Sequence, residues 1–294
     1  MWLPPKPAGA VLYLHGIQSH GGWFEGSAAR LADAGLAVLM PDRRGSGMNR
    51  DDRGHTRSAR RLVQDVGEAA HWLRQTSGAE HVHLVGVSWG GKLALASYPA
   101  LSPAVASLSL VTPGLFPLVD FNLRQKASVA WSAMFDRRRT FVIPLGDPAL
   151  FTTQPQRQRF IRDDERNLRS ATPAFFWASA RMDRAKHRLH GLPPVPLAVF
   201  LAEDDHIIDN AATRAWMRGL ENWPVRRLFE YAGAAHTLEF EPVSGQYVED
   251  LTSWIVEQNR RFEEGLTATG LQPAPDRQTA CPGDNPRNDA PRAD

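Results

Sequence analysis

The chain of 294 residues has one cysteine, Cys281. A lone thiol excludes an intrachain disulfide and any zinc site built on several thiolates. Charge of one sign is also scarce: 34 Lys+Arg stand against 32 Asp+Glu, a formal net charge of +2. General nucleic-acid binders carry a large basic surplus, so this balance argues against one. No apolar run approaches the roughly 20 residues that a membrane-spanning helix needs. The opening, MWLPPKPAGAVLYLHG, lacks the basic region, apolar core and cleavage site of a secretory leader. These absences lead to the expectation of a cytoplasmic protein. What is present is apolar material, 43% of the chain. That suffices for a substantial core and excludes collagen-like, coiled-coil or wholly disordered architectures.

Composition divides the chain into zones. Residues 1–113 and 193–264 alternate short apolar runs with helical patterns, and 114–192 interrupt the alternation. From 265 to 294 the sequence is rich in proline and poor in large apolar residues, which predicts a disordered tail carrying an incidental Cys281. Strands are predicted at Ala10–Leu14, Leu36–Met40, Val82–Val87, Val105–Val111, Pro196–Leu201 and Val225–Tyr231. Helices are predicted over Trp23–Ala34, 56–76, Lys92–Tyr98, Ala211–Leu220 and 243–262. In the second of these, Leu62, Val66, Ala69 and Leu73 form one stripe at spacings of 4, 3 and 4. Strands alternating with helices imply an α/β fold. Its sheet is mostly parallel, covered on both faces, and takes ligands at the carboxyl ends of its strands.

The chemistry centres on Gly86-Val87-Ser88-Trp89-Gly90, a G-x-S-x-G sequence between an apolar β-type run and a helix-forming run. In that setting a serine is forced onto a tight elbow, with small flanking residues that let the backbones approach. A serine hydroxyl needs a base, and the base an orienting carboxylate. Among the ten histidines, His236 best meets the requirement of lying downstream in a short loop after a strand. His81 and His83 alternate on a strand without a third ligand nearby, and read as packing or surface residues rather than a metal pair. Spacing leaves Glu203, Asp204, Asp205 and Asp209 open as the acid, although Asp209 suits a helix N-cap. The oxyanion donors are expected to be the backbone N–H groups of Trp89 and of Ile17, in the loop after the first strand. Asp42 and Arg44 of the PDRRGSG segment read as braces of their loop, by hydrogen bonds and an ion pair.

Together HGIQSHGGWFE, PDRRGSG, GVSWGGKLA, AEDDHIID and AGAAHTLEFEP resemble α/β-hydrolase fold proteins, and within them monoglyceride lipase and lysophospholipase-type serine hydrolases. The resemblance covers roughly 1–115 and 193–262 and implies Ser88, Asp205 and His236 as the catalytic triad. It selects Asp205 from the four acids, because in that family the aspartate precedes the residue before an Ile-Val-like pair, as in Asp205–His206–Ile207–Ile208. Two departures accompany it. Only fourteen residues precede His15, so the first two strands of the usual fold are absent; a start assigned too far downstream or a shortened sheet would account for this. The strand Leu36–Met40 is then expected to show an open edge that promotes pairing with another chain. Trp89 after the serine also occurs in prolyl-aminopeptidase-like members, but those carry HGGPG where this chain has HGIQS.

Residues 114–192 fall where this fold commonly inserts a helical cap, here before the PLAVFL strand. The segment holds 14 Lys+Arg against 7 Asp+Glu, and its large aromatics include Phe116, Phe121, Trp131, Phe135, Phe151, Phe160, Phe175, Phe176 and Trp177. It is expected to be a cap with its own aromatic core and a solvated, arginine-rich face. A lid whose aromatics line an acyl pocket and whose arginines attract anionic groups is compatible with the same composition. The function expected is hydrolysis of a carboxylic ester with an apolar acyl part through an acyl-enzyme. No cofactor or metal and no nucleic-acid partner are called for, and transient contact with a lipid interface through the lid is foreseen. The alternatives are an aminopeptidase or amidase with the same triad, and a non-catalytic binding protein of the same fold.

Overall fold

The structure, a computed structural model, describes residues 1–265. The strands are β1 (Gly9–Leu14), β2 (Leu36–Leu39), β3 (Val82–Val87), β4 (Val105–Val111), β5 (Phe141–Val142), β6 (Ser170–Ala171), β7 (Leu197–Ala202) and β8 (Arg226–Tyr231). Six of them form one sheet, ordered β2-β1-β3-β4-β7-β8, and all five strand pairings in it are parallel. Every residue of β1, β3, β4 and β7 is buried. Burial on both faces is why these strands read as near-continuous Val, Leu and Ala runs rather than alternating ones.

The helices are α1 (Glu25–Asp33), α2 (Ala59–Ser77), α3 (Trp89–Leu101), α4 (Leu123–Phe135), α5 (Pro155–Asp163), α6 (Pro173–Met182), α7 (Ala185–Arg188), α8 (Asn210–Arg218) and α9 (Ser244–Glu263). From β1 the chain moves outward through α1 to β2, then back through α2 to β3 on the other side of β1. Right-handed crossovers put α1 on one face and α2 on the opposite one; α1 packs with α9, and α2 with α3. The direction of winding reverses between β1 and β3. The crevice at their carboxyl ends is the place where such a sheet accepts a ligand. Helix α2 is bounded by Ser58, whose side chain accepts from the Arg61 N–H, and by Gly78 at φ 74°. Its buried stripe is Leu62, Val66, Ala70 and Leu73, so Ala70 takes the place assigned to Ala69.

At the sheet edge, Trp2 and Val38 exchange both backbone hydrogen bonds (2.9 and 2.8 Å). Strand β2 is four residues long, and its centre is covered by this bridge, so its exposed edge is shorter than the apolar run suggested. Helices α4 to α7 and the antiparallel pair β5–β6 lie between β4 and β7. This segment is tied to the core through Asp164, whose Oδ2 lies 2.8 Å from His20 Nε2 and accepts from Trp23 Nε1 at 2.8 Å. The expected disordered tail beyond Gly265, with Cys281, lies outside the described residues.

Candidate active site

Ser88 directly follows β3 and directly precedes α3, with φ 53° and ψ −122°. A non-glycine residue in this region is strained by about 1–3 kcal/mol. The surroundings hold it there: Ser88 N–H donates to Val111 O (2.8 Å), and Ser88 O accepts from Gly91 and Gly114 (2.9 and 2.8 Å). A Cβ at Gly86 would lie 2.6 Å from Gly90 O, and one at Gly90 would lie 2.2 Å from Leu14 O. Backbone crowding therefore dictates both glycines of the G-x-S-x-G sequence.

His236 is buried in the loop that leaves β8. Its Nδ1 lies 2.7 Å from Asp205 Oδ2 and its Nε2 lies 2.8 Å from Ser88 Oγ. An ionised carboxylate only accepts, so Nδ1 carries the proton and Nε2 is left to accept from the serine hydroxyl. The other oxygen, Asp205 Oδ1, accepts from the Ile207 and Ile208 N–H groups at 2.8 and 3.1 Å. Phe151 of the cap packs edge-on against the imidazole, ring centroids 6.1 Å apart. The remaining acids lie elsewhere. Asp204 is exposed, Glu203 accepts from Gly233 N–H, and Asp209 caps α8 through Ala212 N–H at 2.9 Å.

Ile17 and Trp89 both border the cavity that opens at Ser88. Neither of their N–H groups has a hydrogen-bond acceptor among the described residues. Asp42 braces its loop, accepting from Gly21 and Met48 N–H at 2.8 and 2.7 Å. Arg44 turns away and forms a two-pronged pair with Asp65 of α2, both contacts 2.8 Å. The arginine that turns inward is Arg43, which the sequence reading passed over. His81, just before β3, and His83, on it, are buried and share Asn259 Oδ1 as acceptor (3.0 and 3.2 Å). The second ring nitrogen of His83 meets Ser107 Oγ, and burial pushes its pKa down to about 3. Both nitrogens of His83 are thus committed to the core.

The cavity has a volume of about 500 Å³ and runs from Ser88 to α4 and α6 of the cap. Of the cap aromatics, Phe121, Phe176 and Trp177 border it. Phe151 and Phe175 are buried in the core, while Trp131 and Phe135 are exposed and pack on one another. No cap arginine borders it among the described residues; its cations are Lys92 and Lys126, paired with Asp183 (2.5 Å) and Asp120 (2.6 Å). Trp89 Nε1 donates to Ser179 Oγ at 2.8 Å, so the first turn of α3 reaches α6 and its end through Trp89 and Lys92.

The sheet order, the cap position and the serine elbow are those of the α/β-hydrolase fold. The chain belongs to the Hydrolase_4 family, described as serine aminopeptidase, S33, whose model matches residues 5–243. It is 27% identical to the monoacylglycerol lipase of Mycolicibacterium smegmatis over 268 residues, 87% of this chain and 91% of the relative. A 96-residue stretch is 33% identical to an uncharacterized abhydrolase domain-containing protein of Dictyostelium discoideum and spans 10% of that relative's length. Among solved structures, the monoacylglycerol lipase of Paleococcus ferrophilus aligns with a TM-score of 0.77 at 19% identity, covering 86% of this chain and 96% of that one. A soluble variant of the Saccharomyces cerevisiae monoglyceride lipase, solved with a substrate analog, aligns at 0.72 and 17%, covering 88% and 89%. Likeness at these identities establishes the fold. Among the described residues no helix is long and apolar enough to cross a membrane.

Proposed function

We propose that the chain cleaves carboxylic esters with an apolar acyl part through an acyl-enzyme on Ser88. The observation that carries this reading is the contact series Ser88 Oγ–His236 Nε2–Asp205, opening into an apolar cavity beneath the cap. His236 takes the hydroxyl proton as Ser88 attacks the ester carbonyl, then returns it to the departing alcohol. Asp205 keeps the imidazole in the required tautomer and stabilises its charged form. The N–H groups of Ile17 and Trp89 receive the oxyanion. Water activated by His236 then releases the acid, and no cofactor enters any step. In this reading 1–113 and 193–264 form the core, 114–192 the cap, and a cytoplasmic location with transient lipid contact through the cap completes it. The chain is a carboxylic ester hydrolase of the monoglyceride lipase-like kind.

The family description favours one other reading, an aminopeptidase with the same triad. A peptidase that grips a free amino terminus needs a carboxylate available to pair with it. The two carboxylates that border the cavity, Asp120 and Asp183, are each engaged by a lysine, which supports the ester reading. The test is labelling with a fluorophosphonate probe, followed by assay of p-nitrophenyl esters beside aminoacyl anilides. Labelling lost in Ser88→Ala and turnover of esters alone are expected. Turnover of the anilides would favour the peptidase, and absence of labelling in folded protein would sink both.

A further inference from the structure

The mechanism above uses no arginine, yet Arg43 is buried beside the site with 8% of its surface exposed. Its Nη1 donates to Gly16 O at 2.7 Å, and its Nη2 donates to Ile17 O. The guanidinium therefore straddles two consecutive carbonyls of the loop after β1. It also lies over the Trp89 ring at 4.8 Å and the Phe175 ring at 5.4 Å. Its Nε is buried without a partner among the described residues, and its guanidinium hydrogen bonds go to the loop carbonyls rather than to a carboxylate. Burying a cation without a paired anion costs several kcal/mol. A stability role alone would be met better by an apolar side chain.

The geometry of a peptide group supplies the reason for it. Gly16 C=O and Ile17 N–H belong to one planar trans unit, so they point in opposite directions. The carbonyl end has two donors, Arg43 Nη1 at 2.7 Å and His15 Nδ1 at 2.8 Å. The Arg43 N–H donates to His15 Nε2 at 3.1 Å, which leaves the ring proton on Nδ1, directed at Gly16 O. Burial and the neighbouring guanidinium push the His15 pKa down to about 3, so this imidazole stays neutral. Burial lowers Arg43 to about 9, which leaves it charged at neutral pH. With its carbonyl end gripped, the peptide has one orientation, and its N–H end is the one with no acceptor among the described residues.

We infer that Arg43 is the positioning residue of the oxyanion hole: it fixes and polarises the Gly16–Ile17 peptide so that the Ile17 N–H faces the carbonyl attacked by Ser88. A cation bonded to the carbonyl end draws electron density from the amide and strengthens the N–H as a donor. Its field adds to the stabilisation of negative charge at the reacting carbonyl. This inference rests on the serine-hydrolase reading.

The test compares wild type with Arg43→Ala, Arg43→Lys and Ser88→Ala on a short p-nitrophenyl ester. Melting temperature is recorded for each, and affinity is measured for an alkyl trifluoromethyl ketone that forms a tetrahedral adduct on the serine. Arg43→Ala is expected to lower kcat about 10²–10³-fold, the usual effect of losing one oxyanion donor, with KM changed less than about twofold. Affinity for the ketone should fall in parallel with kcat. Arg43→Lys should recover only part of the loss, since an ammonium cannot straddle both carbonyls. Millimolar guanidinium ion should raise the rate of Arg43→Ala and leave Ser88→Ala unchanged. A kcat within threefold of wild type in folded Arg43→Ala, or a loss confined to KM, overturns the inference. Should Arg43→Ala not fold, the kcat and ketone affinity of Arg43→Lys decide in the same way. Ester turnover that persists in Ser88→Ala would instead overturn the serine-hydrolase reading itself.

Discussion

Lys92 Nζ and Asp183 Oδ1 meet at 2.5 Å on the wall of the cavity that holds Ser88, joining the nucleophile helix α3 to the end of the cap helix α6. The lysine side chain is 8% exposed and the aspartate 40%, so the two partners are unequal. Losing Asp183 strands a buried ammonium, whereas losing Lys92 leaves a carboxylate that water can still reach. Asp183→Ala is therefore expected to lower the melting temperature more than Lys92→Met. Lys92→Met should also shift kcat/KM on a series of p-nitrophenyl esters toward longer acyl chains. Both outcomes are read from thermal melts and a chain-length panel. An unchanged profile would remove Lys92 from the determinants of specificity.

Ser88 gives a second expectation, because its backbone angles suit glycine. Ser88→Ala and Ser88→Gly should each lower kcat by roughly 10⁴–10⁶-fold, by analogy with other triads. Their stabilities should differ. Relief of about 1–3 kcal/mol of strain, less roughly 0.5–1 kcal/mol for the added chain entropy of glycine, leaves Ser88→Gly about 1 kcal/mol more stable. Denaturant unfolding of the two inactive variants measures the difference. An equal midpoint would mean that the elbow stores no strain.

Glu239 sets a pH dependence. Its carboxylate accepts from Ser27 N–H at 2.9 Å and from Ser27 Oγ, and burial raises its pKa above the ordinary carboxylate value. Arg157 faces it and opposes the rise, while Tyr13 and Tyr247 complete the cluster. A carboxyl whose folded pKa is raised binds more protons in the folded state than in the unfolded one. Its contribution is present at low pH and lost as pH climbs through the folded value. As pH climbs above the ordinary carboxylate value of 4.5, the wild type should lose more melting temperature than Glu239→Gln, because only the wild type must ionise this site. Parallel curves for the two proteins would refute the assignment.

The Trp2–Val38 bridge yields a fourth. Trp2→Pro removes the N–H that bonds Val38 O, so one of the two hydrogen bonds covering the edge of β2 is lost. A stability decrease of about 1 kcal/mol is expected for the hydrogen bond alone. The variant should also gain mass with concentration in sedimentation equilibrium, since an uncovered strand pairs with other chains. A variant that stays monomeric at all concentrations would show that four residues are too short a template.

How much of this was legible beforehand depended on whether a residue's direction follows from periodicity. The six strands of the main sheet and the helices between them were readable because burial on both faces produces unbroken apolar runs. Ser88, Asp205 and His236, chosen by motif, strand-end position and resemblance, meet in the structure at 2.7 and 2.8 Å. Arg43 and Arg44 show where this stops. In an extended loop two adjacent side chains point to opposite sides, and nothing in PDRRGSG says which arginine faces the core. The cap aromatics were misleading for a similar reason. Composition could count rings but could not separate Phe176, on the cavity wall, from Phe175, one position earlier, buried and stacked on Trp89. Asp164, which ties the cap to His20 and Trp23, gave no signal because its partners lie more than 140 positions away.

Strands β4 and β7 are hydrogen-bonded neighbours that run in the same direction, and this makes the cap part of a route rather than an appendage. A chain leaving the carboxyl end of one parallel strand must travel back along the sheet before it can enter the next. That return is made by the stretch from Ala185 to Pro193, which is fastened by Trp216 to Lys186 O, by Trp223 to Leu189 O and by Tyr98 to Pro193 O. The piece that shapes the cavity, α4 to α6, comes before it and is tied to the core at Asp164, Trp89 and Lys92 and by backbone bonds from Leu168 to Gln18 O, Thr172 to Gly54 O and Thr237 to Phe151 O. Pocket wall and crossover therefore meet near Asp183. Upstream of it the chain shapes what the cavity admits, and downstream of it the chain carries the return that sets strand register.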